Sequence, residues 1–239
     1  PVYKIMGGAR REFNTPYATI FPGMPLGRTM SELMDITGQL FAKATGLGFR
    51  AVKMELMFDD LLTDRQLVDT IKEARRLLGD DIAFLLDFAY RWRDWQSARW
   101  VIDQIEQCNI FLAEATLQHD NLHGHARLAE RTGMRIGGLT EIRRIADMAE
   151  LYGVQVVPHG WKTGITAACG QHFQAATINA PYVEYLSPHL FDSPLRCDLA
   201  RFDPPIVDGR MNLPEGPGLG TCLDDQCVAK YAVSFSENV

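Results

Sequence analysis

Six polar side chains stand where apolar runs of this chain end, and their types are those that proteins use for proton transfer and cation binding. The six are Lys53, Glu55, Asp87, Glu114, His159 and Glu184. Carboxylates without sulfur ligands suit a hard cation such as Mg²⁺. A lysine and a histidine on opposite sides of one pocket suit the removal and return of a proton, with a cation stabilising the charge that develops.

Each of these residues also has a structural interpretation. A carboxylate at the end of a strand can cap the next helix, and Lys53 and Glu55, two residues apart, can simply pair with each other. Six such residues at one rim favour a functional site, because burying several ionisable groups is costly unless they bind something.

Short apolar runs alternate with amphipathic stretches along most of the chain, which is typical of βαβ units and a parallel sheet. The predicted strands cover 17–21, 50–57, 82–87, 110–114, 134–137, 154–158 and 182–186. The predicted helices cover 29–45, 63–78, 93–107, 120–132, 139–152 and 164–178. The pattern predicts an α/β fold, a (β/α)₈ TIM-like barrel with one βα unit missing near 137–139. An open doubly wound sheet is the alternative, disfavoured because no GxGxxG follows the first strand.

The composition changes after residue 188. We expect residues 1–188 to form the barrel and the Pro/Gly-rich segment 189–239 to pack on it, with a hairpin through Asp208-Gly209 and a short helix near 223–232.

Composition excludes several classes of function. The chain has 239 residues, 46% of them hydrophobic, and 24 Lys and Arg against 30 Asp and Glu give a net charge of −6. Without a basic run it is not expected to bind nucleic acid, and without an apolar stretch of about 18 residues it is not expected to bind a membrane. Five cysteines without a CxxC pair predict free thiols in a reducing cytoplasm.

Several motifs, in order along the chain, resemble the enolase superfamily and within it the mandelate racemase subgroup. The motifs of the second, third and fourth strands are "GFRAVKMEL", "LLDFAY" and "FLAEATLQHDN". Those of the later strands and the C-terminal segment are "GGLTEIRRIADMAELYGVQVVPHGW", "YVEYL" and "IVDGRMNLPEGPGLG". The stretches "LQHD" and "PHGWKTG" are similar to those of acid-sugar (aldonate or aldarate) dehydratases.

This resemblance implies a modified enolase-type barrel and a lyase that removes the proton α to a carboxylate with the help of Mg²⁺ and then expels a β-hydroxyl as water. It makes His159 the acid/base, Lys53 an electrostatic partner of the substrate carboxylate, and Glu184 the residue that orients a substrate oxygen. Asp87 and Glu114 become metal ligands, although an alignment through "TLQHD" places the metal-binding glutamate of the racemases at Ala113 and matches Glu114 with the glutamate that follows it. The implied partners are a small sugar acid and further copies of the chain in a homo-oligomer.

Four more residues are candidates for substrate binding: Tyr90, Trp161, Lys162 and His189. Tyr90 and His189 closely follow predicted strands, and Lys162 could bind a second carboxylate near His159.

The chain also departs from the family pattern. Glu55 stands where the family has a second lysine, the base of the opposite face. A carboxylate can also act as a base and makes Glu55 a catalytic candidate, but the nearby Lys53 is expected to lower its pKa and so weaken it. A third metal carboxylate, an aspartate partner of the histidine and an amino-terminal capping domain have no counterpart in the sequence. Either the protein lacks these parts, or the sequence omits residues that the protein contains; the second is favoured, because deleting an inward strand would expose two strand edges.

Two other functions therefore stay open. One is a racemase, epimerase or cycloisomerase that uses the same enolate without loss of water. The other is an inactive barrel that only binds a ligand.

Overall fold

A computed structural model of the protein describes residues 1–58, 61–118, 120–131, 135–137, 142–161, 163–191 and 193–232. The helices are α1 (Val2–Ile5), α2 (Met30–Gly46), α3 (Asp64–Leu78), α4 (Trp95–Ile105), α5 (Leu122–Arg131), α6 (Ile142–Leu151), α7 (Gly164–Ala176), α8 (Pro194–Leu199) and α9 (Asp225–Tyr231). The strands are β1 (Phe13–Asn14), β2 (Pro16–Ile20), β3 (Ala51–Glu55), β4 (Ala83–Asp87), β5 (Ile110–Glu114), β6 (Arg135–Gly137), β7 (Val183–Tyr185), β8 (Ile206–Val207) and β9 (Arg210–Asn212).

Six strands form one parallel sheet in the order β6-β5-β4-β3-β2-β7. Because all six run the same way, their carboxyl ends meet at one edge, where Glu55 lies opposite Asp87 and Asp87 opposite Glu114. The βαβ pattern predicted from the sequence is confirmed for these strands and the helices between them.

Helices pack against the sheet through an apolar face, and capping residues fix where α2 and α3 begin. Thr29 and Glu32 form a capping box at α2, and Thr63 and Gln66 form one at α3. On α3, Leu67 and Ile71 are fully buried in the main core, which also contains Phe84 of β4.

The predicted strand over 154–158 is wrong: this segment is described but joins no sheet. Its backbone groups bond to a helix end and a loop instead. The Val154 N–H donates to the Ala149 carbonyl at 2.8 Å, the Val156 N–H donates to the Asn179 carbonyl at 3.0 Å, and the Asn179 amide donates to the Val154 carbonyl at 3.0 Å. Pro158 has no N–H to give to a ladder. Closure of the barrel between β6 and β7 is not seen among the described residues.

The C-terminal segment contains the predicted hairpin. Asp208 and Gly209 both have positive φ (48° and 72°), as a two-residue turn between β8 and β9 requires. The Gly209 N–H donates to the Gly48 carbonyl at 2.7 Å, which attaches the hairpin to the turn before β3. Helix α9 confirms the helix predicted near 223–232, whereas α8 was not predicted, although Ser193-Pro194 is a typical helix start.

Within the described residues, no helix is long and apolar enough to span a membrane.

Candidate active site

The ammonium group of Lys53 lies at the centre of a cluster of four carboxylates at the carboxyl edge of the sheet. Its Nζ is 2.8 Å from Glu114, 2.9 Å from Glu184, 3.7 Å from Glu55 and 3.8 Å from Asp87. The Lys53 side chain is fully buried. In this arrangement it compensates the charge of the carboxylates, and its predicted contact with a substrate carboxylate stays a prediction.

Glu184 is held on both of its oxygens by protein groups. Oε1 accepts the hydroxyl of Thr19 and pairs with Lys53, while Oε2 accepts the N–H of Gly160 and lies 3.1 Å from Nδ1 of His159. The side chain is fully buried although it belongs to β7, at the edge of the sheet. Pairing of β7 with β2 is what brings Glu184 beside Lys53.

His159 borders the carboxylate cluster and remains partly open to solvent, with 38% of its side chain exposed. Its Nδ1 faces two carboxylates, Glu184 at 3.1 Å and Glu114 at 3.9 Å. A partly exposed imidazole beside these carboxylates is suited to exchange a proton with a ligand bound at the carboxyl edge of the sheet.

Charges in the cluster shift one another's ionisation. Burial raises the pKa of Glu55 to about 9, with the other carboxylates adding to the effect and Lys53 opposing it. Burial also raises the pKa of Glu114. Burial alone would raise the pKa of Glu184 as well, but Lys53 and His159 hold it well below its usual range. The expectation that Lys53 lowers the pKa of Glu55 is therefore wrong, because burial outweighs the charge of the lysine. Near pH 7 Glu55 is protonated, whereas Glu184 is an anion.

The pKa values of Lys53 and His159 are both raised by these anions. Burial by itself would lower the pKa of Lys53, but the negative groups around it, Glu184 and Glu114 among them, raise it well above its usual range. The hydrogen bond with Glu184 raises the pKa of His159, against the opposing effect of burial. Lys53 is therefore a permanent cation.

The carboxylates of the cluster are oxygen donors of the type that Mg²⁺ prefers. Three buried carboxylates and the partly buried Glu114 surround one lysine, and burial is the main cause of the raised pKa values of Glu55 and Glu114, with the neighbouring carboxylates adding to it. Mg²⁺ keeps several waters and needs only one or two carboxylates, and Asp87 and Glu114 are neighbours in the sheet. In the described part of the chain, no group of three or more potential ligands converges in a way that could hold a metal ion.

Two strained turns form the rim next to Asp87 and Glu114. Ala89 and Tyr90 after β4 and Ala115 after β5 have positive φ of 50°, 61° and 49°. The turns are joined by hydrogen bonds from the Tyr90 N–H to the Ala115 carbonyl (2.6 Å) and from the Gln118 amide to the Tyr90 carbonyl (2.9 Å). Positive φ at residues other than glycine is unfavourable and is found preferentially at functional sites.

The four residues predicted to bind substrate lie in different surroundings. Tyr90 lies on the rim just described, with about half of its side chain exposed. Trp161 packs edge-on against Phe191, with ring centroids 5.0 Å apart. The Nε2 atom of His189 pairs with Asp203 at 2.9 Å. Lys162 lies outside the described residues.

Two residues of β2 belong to the site and were not predicted from the sequence. Thr19 bonds Glu184, and the buried Tyr17 ring lies 5.4 Å from Nζ of Lys53. Their period-two spacing in the run 17–21 could have placed them on one face, but only the pairing of β2 with β3 and β7 shows that this face meets Lys53 and Glu184.

Carboxylates, a lysine and a histidine thus gather at the carboxyl edge of one parallel α/β sheet, which makes this edge the candidate site. The chain belongs to the enolase C-terminal domain-like family, whose profile matches residues 39–136 and 132–227. The family resemblance of the sequence motifs is thereby confirmed.

Three curated proteins illustrate the relationship. The chain is 36% identical to a D-galactarolactone cycloisomerase of Agrobacterium fabrum, over 95% of this chain and 67% of that protein. It is 34% identical to an L-rhamnonate dehydratase of Saccharopolyspora erythraea (95% and 62%) and 25% identical to an arabinonate dehydratase of Saccharolobus solfataricus (97% and 66%). The chain thus spans about two thirds or less of the length of these relatives.

Solved structures share the fold. A crystal structure provisionally described as a racemase superposes with a TM-score of 0.88 at 34% identity, over 96% of this chain and 68% of that one. The 3,6-anhydro-D-galactonate cycloisomerase of Zobellia galactanivorans superposes with a TM-score of 0.79 at 23% identity, over 97% and 69%.

Proposed function

We propose that the chain provides the catalytic part of a sugar-acid dehydratase, a hydro-lyase that removes the proton α to a carboxylate and then expels a β-hydroxyl. The observation that carries the proposal is the convergence of His159 with Lys53 and the carboxylates at the carboxyl edge of one parallel sheet. Sugar-acid dehydratases among the relatives support it.

Asp87 and Glu114 would hold Mg²⁺, with Glu55 close by. Bound there, the ion would act as a Lewis acid that neutralises negative charge developing on the substrate carboxylate.

His159 is the group that moves protons in this proposal. It takes the α-proton, the C–H electron pair becomes a carbon–carbon double bond, and the bond from the β-carbon to its hydroxyl breaks. The imidazolium returns its proton to the departing oxygen, so that water leaves and the ring is again neutral. The resulting enol rearranges to a 2-keto-3-deoxy acid. Glu184 supports the imidazolium by its negative charge 3.1 Å away.

A cycloisomerase is the second candidate, because a D-galactarolactone cycloisomerase is 36% identical over nearly the whole chain. The same α-proton transfer would then proceed without loss of water. Epimerisation and racemisation belong to this second candidate, and a barrel that only binds a ligand is the outcome if no proton is exchanged.

The proposal extends to the surroundings of the site. Residues 1–188 form an enolase-type (β/α)₈ barrel that lacks one βα unit near 137–139, and residues 189–239 pack on it. In support, the two profile matches meet at 132–136, and the 264 positions aligned with the Saccharolobus enzyme exceed the 239 residues of this chain.

We further propose that the protein forms a homo-oligomer in the cytoplasm, a compartment that the five free cysteines fit. We also propose substrate contacts by Tyr90, Trp161, Lys162 and His189.

The test is to incubate the chain with Mg²⁺ and a panel of aldonic and aldaric acids and their lactones in D₂O, and to analyse the products by mass spectrometry. Loss of one water with formation of a 2-keto-3-deoxy acid supports the dehydratase. An isomeric product, or deuterium at the α-carbon without loss of water, supports the second candidate. A folded, Mg²⁺-saturated sample that does neither overturns both, and the H159Q variant is the control for background exchange.

A further inference from the structure

We propose that Tyr17 is a positioning residue for Lys53: its ring holds the lysine ammonium at the carboxyl edge of the sheet, where the ammonium can meet the carboxylate of a substrate. The inference rests on the proposed function and on the role that the sequence motifs imply for Lys53, which is to pair with that carboxylate. Tyr17 itself touches no substrate and acts through Lys53.

The first argument is that a small apolar layer lies next to the candidate site, toward the amino ends of the strands. Its four buried members belong to the neighbouring strands β2 to β5 and are Tyr17, Ala51, Leu85 and Leu112. Each stands two positions before a residue of the site on the same strand, in the order Thr19, Lys53, Asp87 and Glu114. Because side chains two positions apart point to the same face of a strand, this layer supports the charged groups from one side.

The second argument is that the aromatic member of this layer meets the ammonium group. Strand β2 lies between β3 and β7, with Thr19 opposite Lys53 and Tyr17 opposite Glu184. The ring centroid of Tyr17 is 5.4 Å from Nζ of Lys53, within the distance of about 6 Å at which an aromatic face attracts a cation. Tyr17 is only 1% exposed and the Lys53 side chain is fully buried, so solvent screens this attraction little.

The third argument is that Lys53 needs such a contact to hold one position. Its charge stands at the end of a flexible stem of four carbons. Four carboxylates lie 2.8 to 3.8 Å from Nζ, and each of them draws the ammonium toward itself. The Tyr17 ring attracts the same ammonium from the apolar layer, and its bulk prevents the lysine stem from folding back into that layer. A leucine at position 17 would fill space there but would offer the ammonium no electrostatic partner.

The experiment follows the lysine ε-methylene and ammonium groups by NMR in the whole chain, labelled with ¹³C,¹⁵N-lysine and without substrate. The K53M variant assigns the Lys53 signals by their absence. Protons held over an aromatic face resonate upfield of their usual position, so we expect an upfield ε-methylene signal for Lys53 in the wild type. We expect Y17F, which keeps the ring, to retain that shift, and Y17L to lose it.

The matched control is Y182L, which makes the same substitution at another tyrosine that packs against this layer. The Tyr182 ring packs edge-on against Phe111, with ring centroids 4.8 Å apart. We expect Y182L to cost stability and to leave the Lys53 signals unaltered. An equal change of the Lys53 signals in Y182L and Y17L would mean that general packing, and not the Tyr17 ring, positions the lysine.

Kinetics with the acid that gives a product in the assay of the proposed function separate positioning from a structural role. We expect Y17L to raise KM about tenfold with a smaller change in kcat, because the lysine would pair with the carboxylate of the bound substrate as well as with that of the transition state. Y17F should keep the wild-type KM. In the K53M background, Y17L should raise KM little further, because two residues that act as a unit are not additive.

The inference is overturned if folded Y17L keeps the wild-type Lys53 signals, if Y17F loses the upfield shift, or if the effects of Y17L and K53M on KM are additive. Should Y17L not fold, Y17M replaces it, since the flexible methionine side chain fills irregular space without an aromatic face, and the same spectra decide. The NMR result needs no turnover, so an absence of dehydratase activity would be recognised separately.

Discussion

Nζ of Lys53 lies 2.8 Å from Oε2 of Glu114, so the lysine ammonium and a divalent cation would draw on the same carboxylate. The same ammonium is 3.8 Å from Asp87, the second proposed ligand. We therefore expect Lys53 to oppose the binding of a metal ion by these carboxylates.

The K53M variant is expected to bind Mg²⁺ more tightly than the wild type, by roughly tenfold, because it removes a unit positive charge close to the proposed ligands. Isothermal titration calorimetry of both proteins with MgCl₂ measures this directly. The control is K43M, which removes an exposed lysine of α2 and should bind like the wild type. Weaker or unchanged Mg²⁺ binding by a folded K53M protein would show that the metal does not share ligands with Lys53.

Glu55 gives the free energy of unfolding a distinctive pH dependence. Burial raises the pKa of this carboxyl to about 9, whereas it is about 4.5 when unfolded. Between these values the unfolded state loses the proton that the folded state keeps, so the wild type loses stability as pH rises through this window. The E55Q variant cannot ionise at this position and should lack that loss.

Urea unfolding at pH 5.5 and pH 8.5, in the presence of EDTA, checks the expectation. We expect E55Q to be more stable than the wild type at the higher pH and the difference to shrink at the lower one. E215Q, at an exposed glutamate of the C-terminal segment, should follow the wild type at both. A difference between E55Q and wild type that is the same at both pH values would contradict the shifted ionisation.

Gly160 leaves no room for a side chain against Glu184. A Cβ atom at Gly160 would lie 2.9 Å from the Glu184 carbonyl oxygen and 3.1 Å from its Cβ. G160A is expected to displace Glu184 and His159 together, to reduce activity at least about tenfold, and to cost about 1–3 kcal/mol of stability by overpacking.

Steady-state kinetics and urea unfolding of G160A test this, with G46A as the matched change. A Cβ at Gly46, at the end of α2, has no atom within 4 Å, so alanine there should keep activity and stabilise the helix by up to about 1 kcal/mol. Full activity in G160A would mean that the contact between His159 and Glu184 tolerates displacement.

His172 should make the fold sensitive to acid. The ring is buried on α7, stacks on Tyr3 and accepts the Tyr3 N–H at Nδ1 (3.3 Å). Burial lowers the pKa of His172 below its ordinary value of 6.5, so the unfolded state takes up a proton before the folded state does. Stability is therefore expected to fall as pH drops below about 6.5.

H172N keeps an acceptor for the Tyr3 N–H but cannot take up a proton. Thermal unfolding from pH 7.5 down to pH 5 should show a steeper loss for the wild type than for H172N. Parallel curves would assign the acid sensitivity to other groups.

Much of the fold follows from the sequence because the signals are local. Short apolar runs and helical stripes predicted β3, β4 and β5 and the helices α2 and α3. The capping that the structure shows at Thr29 and Thr63 is local too, since it involves residues only three positions apart. The type and strand-end position of Lys53, Asp87 and Glu114 were enough to place them at one edge, since parallel strands end together.

Other features needed the tertiary structure, because they depend on which distant segments pair. Residues 154–158 have the apolar character of a strand but join no sheet, since a strand exists only if a neighbour accepts its hydrogen bonds. The sequence by itself determined which residue types stand at the strand ends. Only the pairing of β7 with β2, between residues more than 160 positions apart, decided that Glu184 meets Lys53, Thr19 and His159, because a long-range pairing leaves no mark on local periodicity.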